Sequence, residues 1–108
     1  MSLLIPTIRS GTSEDVGAVK RLLKQQVDDA ALTPIPGKRH LLVLDNPTGG
    51  IAAAAVLVID GVRGHVSLFA VDERLAGHGL EDRLLAVIEG MSEAFGLRTV
   101  DVPARRAA

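Results

Sequence analysis

Residues 65–95, HVSLFAVDERLAGHGLEDRLLAVIEGMSEAF, place the strongest constraint on how this chain can fold. Two periodicities meet there across one short loop. His65 to Val71 is apolar and rich in strand formers, with Phe69 and two valines, and predicts a strand. From Leu80 onward, Leu80, Leu84, Val87, Ile88, Met91 and Phe95 share one helical face, while Asp82, Glu89 and Glu93 lie on others. Gly96 predicts a left-handed stop, and Leu97 to Val102 predicts a further strand. A strand that leaves through a glycine loop and enters a helix presents backbone N–H groups able to cradle an anion. A functional site is expected at that loop.

The remaining sequence supplies partners for this unit. Leu3 to Arg9, interrupted by Pro6, predicts a first strand near a sheet edge. Thr12 or Ser13 can cap the next helix, with Glu14 and Asp15 in its first turn. Val16, Val19, Leu22, Leu23, Val27 and Ala30 predict its buried stripe, and Lys20, Arg21 and Lys24 its solvated face. Thr33 to Lys38, with two prolines and Gly37, reads as a loop. His40 to Asp45 is a second strand, Asn46 to Gly50 a hairpin-type turn, and Ile51 to Asp60 a third strand. The third strand, IAAAAVLVID, is apolar on both faces and is expected at the sheet centre with helices on each side. The expected fold class is α+β (mixed α/β), a single-layer, mainly antiparallel sheet flanked by helices, in one domain over 1–108 with a frayed tail at 103–108.

Composition excludes several function classes. Twelve Lys and Arg against thirteen Asp and Glu leave a formal charge of −1, so no basic field is offered to nucleic acid or to an anionic membrane. Cysteine is absent, which removes disulfides, thiolate metal sites and a thiol nucleophile. The three histidines are not at metal-ligand spacing, and no metal is expected. No apolar run reaches transmembrane length and the N-terminus lacks a signal-peptide pattern, so a cytoplasmic location is the expectation.

The element order and the segment LFAVDERLAGHGLEDRLLAVIEG followed by FGLRTVDV resemble the GNAT N-acetyltransferase superfamily over about residues 5–102. In that family a strand ending in valine is followed by a loop of the form R/Q-x-x-G-x-G/A, opening a helix with a Leu-Leu pair. The resemblance implies an acetyl-CoA-dependent N-acetyltransferase acting on a small-molecule or protein amine. It implies that Phe69, Ala70 and Val71 line the pantetheine arm and that Ala76, Gly77, His78, Gly79, Leu80, Glu81 and Asp82 face the pyrophosphate. This register is anchored on Val71 and on Leu84-Leu85; a literal match of Arg74 to Gly79 is the other placement.

The chain departs from the family pattern in ways that bear on chemistry. In the preferred register Ala76 replaces the basic residue and Glu81 the last glycine, adding bulk and like charge beside an anion. Two unit charges at ~4 Å interact by ~4 kcal/mol at an effective dielectric near 20, a large share of the ~8 kcal/mol of micromolar binding. Turned into water, the same carboxylate would cost far less. Family members continue with another helix and two strands beyond the fifth strand, a portion that often carries a general-acid Tyr; this sequence has no Tyr, and six residues follow Val102. An uncovered Arg98–Val102 edge would favour a homodimer through that strand.

For the base, His65 is the candidate, against the more ordinary reading of a strand-end surface histidine; His40 has similar standing. Asp60 and Asp101 could bind a cationic substrate, or only end strands. Two other readings stand beside the acetyltransferase. One is a degenerate, non-catalytic GNAT-like module for CoA binding, dimerisation or protein interaction. The other is a ferredoxin-like or ACT-type sensing domain, which requires Ile51–Asp60 and His65–Val71 to be one continuous element.

Overall fold

The computed structural model describes residues 7–23, 27–46, 50–75, 77 and 79–102. Strand β1 (Thr7–Ser10) leads through a 3-10 turn into α1 (Val16–Leu23) and α2 (Asp29–Leu32). Strands β2 (Arg39–Asp45), β3 (Ile51–Asp60) and β4 (Arg63–Val71) follow, then α3 (Leu80–Ala94) and β5 (Thr99–Asp101). The sheet order is β1-β2-β3-β4-β5, antiparallel up to β4, with β5 parallel to β4. A parallel pair needs a crossover, which α3 supplies. β3 and β4 are separate antiparallel strands, so the ferredoxin-like reading fails at its one requirement.

The double-sided burial expected of β3 follows from its alternation. Ala53, Ala55 and Leu57 pack with Leu42, Leu44, Leu80, Leu84 and Ile88 beneath α3. Ala54 and Val56 pack with Val16, Val19, Leu32, Leu41 and Val43 beneath α1 and α2. Ala52 to Leu57 is fully buried, which is why this run is aliphatic throughout. The small alanine side chains let both helical layers approach the central strand.

Helix ends follow local chemistry. Thr12 accepts from the Glu14 N–H at 3.2 Å, while the Thr12 N–H donates to Asp15 at 2.8 Å, a reciprocal cap. At the end of α3, Gly96 adopts φ +72°, its N–H meets Glu93 O at 3.1 Å, and Leu97 N–H meets Ser92 O at 2.9 Å. The left-handed stop expected at Gly96 is present.

Four expectations need correction. The first helix does not run through Ala30: Asp28 is extended (φ −66°, ψ 140°) and opens α2, where Ala30 is exposed and Leu32 is buried. Lys20 is not simply solvated, since its Nζ meets Asp29 at 2.7 Å. Phe95 is 45% exposed, because α3 ends at Ala94 and its last inward positions are Ile88 and Ser92. The Ser92 hydroxyl is satisfied by donating to Ile88 O at 2.7 Å. The last strand contracts to Thr99–Asp101 and has β4 as a neighbour on one side. Residues 3–6, Lys24, residues 47–49 of the hairpin turn and the 103–108 tail lie outside the described residues.

Candidate active site

The site region is the C-terminal half of β4, beyond its pairing with β5. They pair only over Arg63–Thr99, Gly64–Val100 and His65–Asp101. Beyond His65, β4 continues to Val71 beside no further β5 residue among those described. Its register against β3 shifts between Val56 and Leu57, where Leu57 faces Val66 and Val56 faces Leu68, leaving Ser67 as the extra residue. A bulge of this kind bends the strand and redirects its edge. Phe69, Ala70 and Val71 are half-buried along that edge, Phe69 and Val71 leaning toward the α3 core.

After Val71 the chain turns sharply. Asp72 N–H donates to Ala52 O at 2.8 Å, and Glu73–Leu75 forms one turn of 3-10 helix. Gly77 (φ +86°) and Gly79 (φ +78°) are both left-handed, and a Cβ built on either would meet nothing within 4 Å. Gly79 is the N-cap of α3. Arg83 N–H closes the first turn of α3 onto Gly79 O at 3.1 Å. A helix N-terminus beside open glycines is the kind of backbone at which an anion can bind. Leu80 is buried, so its contribution there is its backbone; Glu81 is half-buried and Asp82 exposed. Ala76 and His78 lie outside the described residues.

Side-chain charge opposes the amides. Glu81 and Asp82 occupy the first turn of α3. Arg74, 85% exposed, is bound to Asp72 through contacts of 2.8 and 3.2 Å, and this carboxylate raises the guanidinium pKa further. The first turn of α3 thus carries two acidic residues beside the double-glycine turn.

An open cleft of about 910 Å³ adjoins the end of β4, lined by Arg21, Leu22 and Leu23 of α1 and by residues 69–74. The α1 wall was missed in the sequence, where Arg21 reads as solvated face and Leu22 and Leu23 as core. His65 stands elsewhere. It is six residues before Val71, about 20 Å along an extended strand, exposed and beside Asp101 in register. With Asp60 it lines a second cleft. His40 is half-buried and stacks on Phe95 at 4.8 Å between ring centroids, a packing role. Among the described residues, no three His, Asp or Glu side chains converge as metal ligands.

The fold is shared with solved acetyltransferases. The chain is similar to the ribosomal-protein-S18-alanine N-acetyltransferase of Escherichia coli, with TM-score 0.81, 20% identity, and coverage of 95% of this chain and 69% of that one. It is similar to an acetyltransferase of Trypanosoma brucei, with TM-score 0.75, 20% identity, and coverage of 94% and 84%. The chain has the GNAT fold. Glucosamine-6-phosphate N-acetyltransferase of Arabidopsis thaliana shares the GNAT fold with it at TM-score 0.73 and 18% identity, over 93% of this chain and 82% of that one. No family model and no curated protein matches the sequence. The similarity to GNAT structures is therefore carried by arrangement of elements rather than by residue identity. Among the described residues, no helix is long and apolar enough to cross a membrane.

Proposed function

We propose that the chain is an acetyl-CoA-dependent N-acetyltransferase acting on an amine. One observation carries the reading: β4 continues six residues past its pairing with β5, with no strand partner on that side among the described residues, into a double left-handed glycine turn at the start of α3. Acetyl-CoA, when bound, supplies an acyl group activated as a thioester. The amides around Gly77, Gly79 and the first turn of α3 would hold its phosphates. The edge from Phe69 to Val71 would align its arm by backbone hydrogen bonding. An arm lying along β4 brings the acyl end toward Ser67 and His65, where His65 would accept a proton from the amine. Leu22 and Leu23 would wall the arm from water.

Glu81 and Asp82 support a second reading, a GNAT-like module that binds weakly and does not catalyse. A thermal melt with and without millimolar acetyl-CoA, repeated on Glu81→Gly, separates the two. Ligand at ~100 times its Kd adds ~2.7 kcal/mol, worth roughly ten degrees in a domain this small. The expected outcome is a shift in the native chain that grows in Glu81→Gly. A shift confined to the variant marks a disabled site and favours the module; no shift in either removes the acetyltransferase.

A further inference from the structure

The second cleft, about 750 Å³, lies at the far end of β4 from the glycine turn and is lined by Ile35, Lys38, Arg39, Val58, Asp60 and His65, among others. Its floor is a row across three strands, since Arg39 faces Val58 and Val58 faces His65 in register. Strand alternation places Asp60, two residues beyond Val58, on the same face. One wall is held by the backbone: Ile59 N–H donates to Lys38 O at 2.8 Å and Ile35 N–H to Arg39 O at 3.0 Å.

The charges on this floor are left unmatched. A half-buried guanidinium ordinarily meets a carboxylate. Arg39 instead donates to the carbonyl oxygens of Ala30 and Thr33, and meets no carboxylate among the described residues. Those two bonds fix its plane and leave the charge uncompensated. Lys38 and Asp60 are exposed, and neither has an ion pair among the described residues. The cleft thus sets two cations on β2 and its approach, one carboxylate on the end of β3, and an imidazole on β4.

We infer that this cleft binds a small zwitterion, a primary amine joined by a short spacer to an anionic oxygen group, carboxylate or phosphate. Lys38 and Arg39 take the anion; Asp60 takes the ammonium beside His65. The inference deepens the proposed acetyltransferase by naming the class of its acceptor, and it rests on that reading only for the fate of the amine. Binding itself needs no acyl donor. Bidentate pairing suits Arg39 to either anion, and the flexible Lys38 adds charge without further geometry.

The test is titration of the full chain, without acetyl-CoA, followed by amide NMR. The probes are β-alanine for the carboxylate and phosphoethanolamine for the phosphate, with propionate and n-propylamine as half-ligands. At least one zwitterion is expected to shift amides at 37–40 and 58–65, binding about fivefold tighter than either half-ligand. Which zwitterion does so identifies the anion. Lys38→Ala and Asp60→Asn, both at exposed positions, are each expected to weaken it about fivefold with no change in melting temperature. No shifts at tens of millimolar, half-ligands binding as tightly, or variants binding like the native chain would each overturn the inference. The acetyl-CoA melt reports on the opposite end of β4, so failure of the acetyltransferase reading is seen separately.

Discussion

Arg9 shows how much one exposed guanidinium can organise. It joins two carboxylates, meeting Asp15 at 2.9 Å through both terminal nitrogens and Asp45 at 2.6 and 3.2 Å. This ties the start of the first helical segment to β1 and β2. The Arg9 guanidinium, with burial opposing and the Thr12 N–H assisting, lowers the Asp15 carboxyl from its ordinary 3.8 to about 2. The unfolded chain therefore binds the proton first as pH falls. The stabilisation is complete above about pH 4 and is lost as pH drops toward 2. Because Arg9 is 40% exposed, solvent screening leaves on the order of 1 kcal/mol of it. Acid unfolding monitored by circular dichroism is expected to lose that increment across this window, and Asp15→Asn is expected to lose it at neutral pH. Asp72 makes a parallel case near the glycine turn. Asp72→Asn is expected to release Arg74 and to tighten acetyl-CoA about threefold, read by calorimetry.

Elements were legible where two independent signals agreed. The sequence delimits β3 at its observed ends, because an apolar run too short for a helix is closed by glycine turns on both sides. The start of α3 was legible from Gly79 and the Leu80/Leu84 spacing, and its end from Gly96. Failures came where a periodic pattern continued past a backbone break. Val27 and Ala30 prolong the stripe of α1 on paper, yet the extended Asp28 restarts the helix with a different face inward. Phe95 keeps the α3 spacing but falls on the cap, where stacking on His40 replaces burial. The glycine turn of the candidate site was readable; the α1 wall was not, since a solvated face and a cleft wall share one pattern. At this scale the sharpest test is Leu84, fully buried in the α3 core. Leu84→Ala is expected to cost about 2–5 kcal/mol in urea unfolding, whereas truncating exposed Phe95 is expected to cost under half as much.

For the molecule as a whole, the outer side of β5, which no other strand covers among the described residues, bears on assembly. β5 is short, lies last in the sheet order, and is followed by Val102 at 42% exposure. We propose that this edge joins two copies, as expected of a strand at the sheet edge with apolar flanks. Sedimentation equilibrium at tens of micromolar is expected to give a dimer, and Val102→Lys a monomer; a native monomer would remove the proposal.

The same sheet order has a consequence for the chain while it is being made. β2, β3 and β4 each pair with the strand before them, so this part of the sheet can close before α3 has left the ribosome. β5 must then wait for a crossover that contains the fifteen-residue α3. In that interval Leu42, Leu44, Ala53, Ala55 and Leu57 form an uncovered aliphatic plane. The nascent meander is thus a half-clothed sheet, and its vulnerable moment in the cell is the wait for one helix.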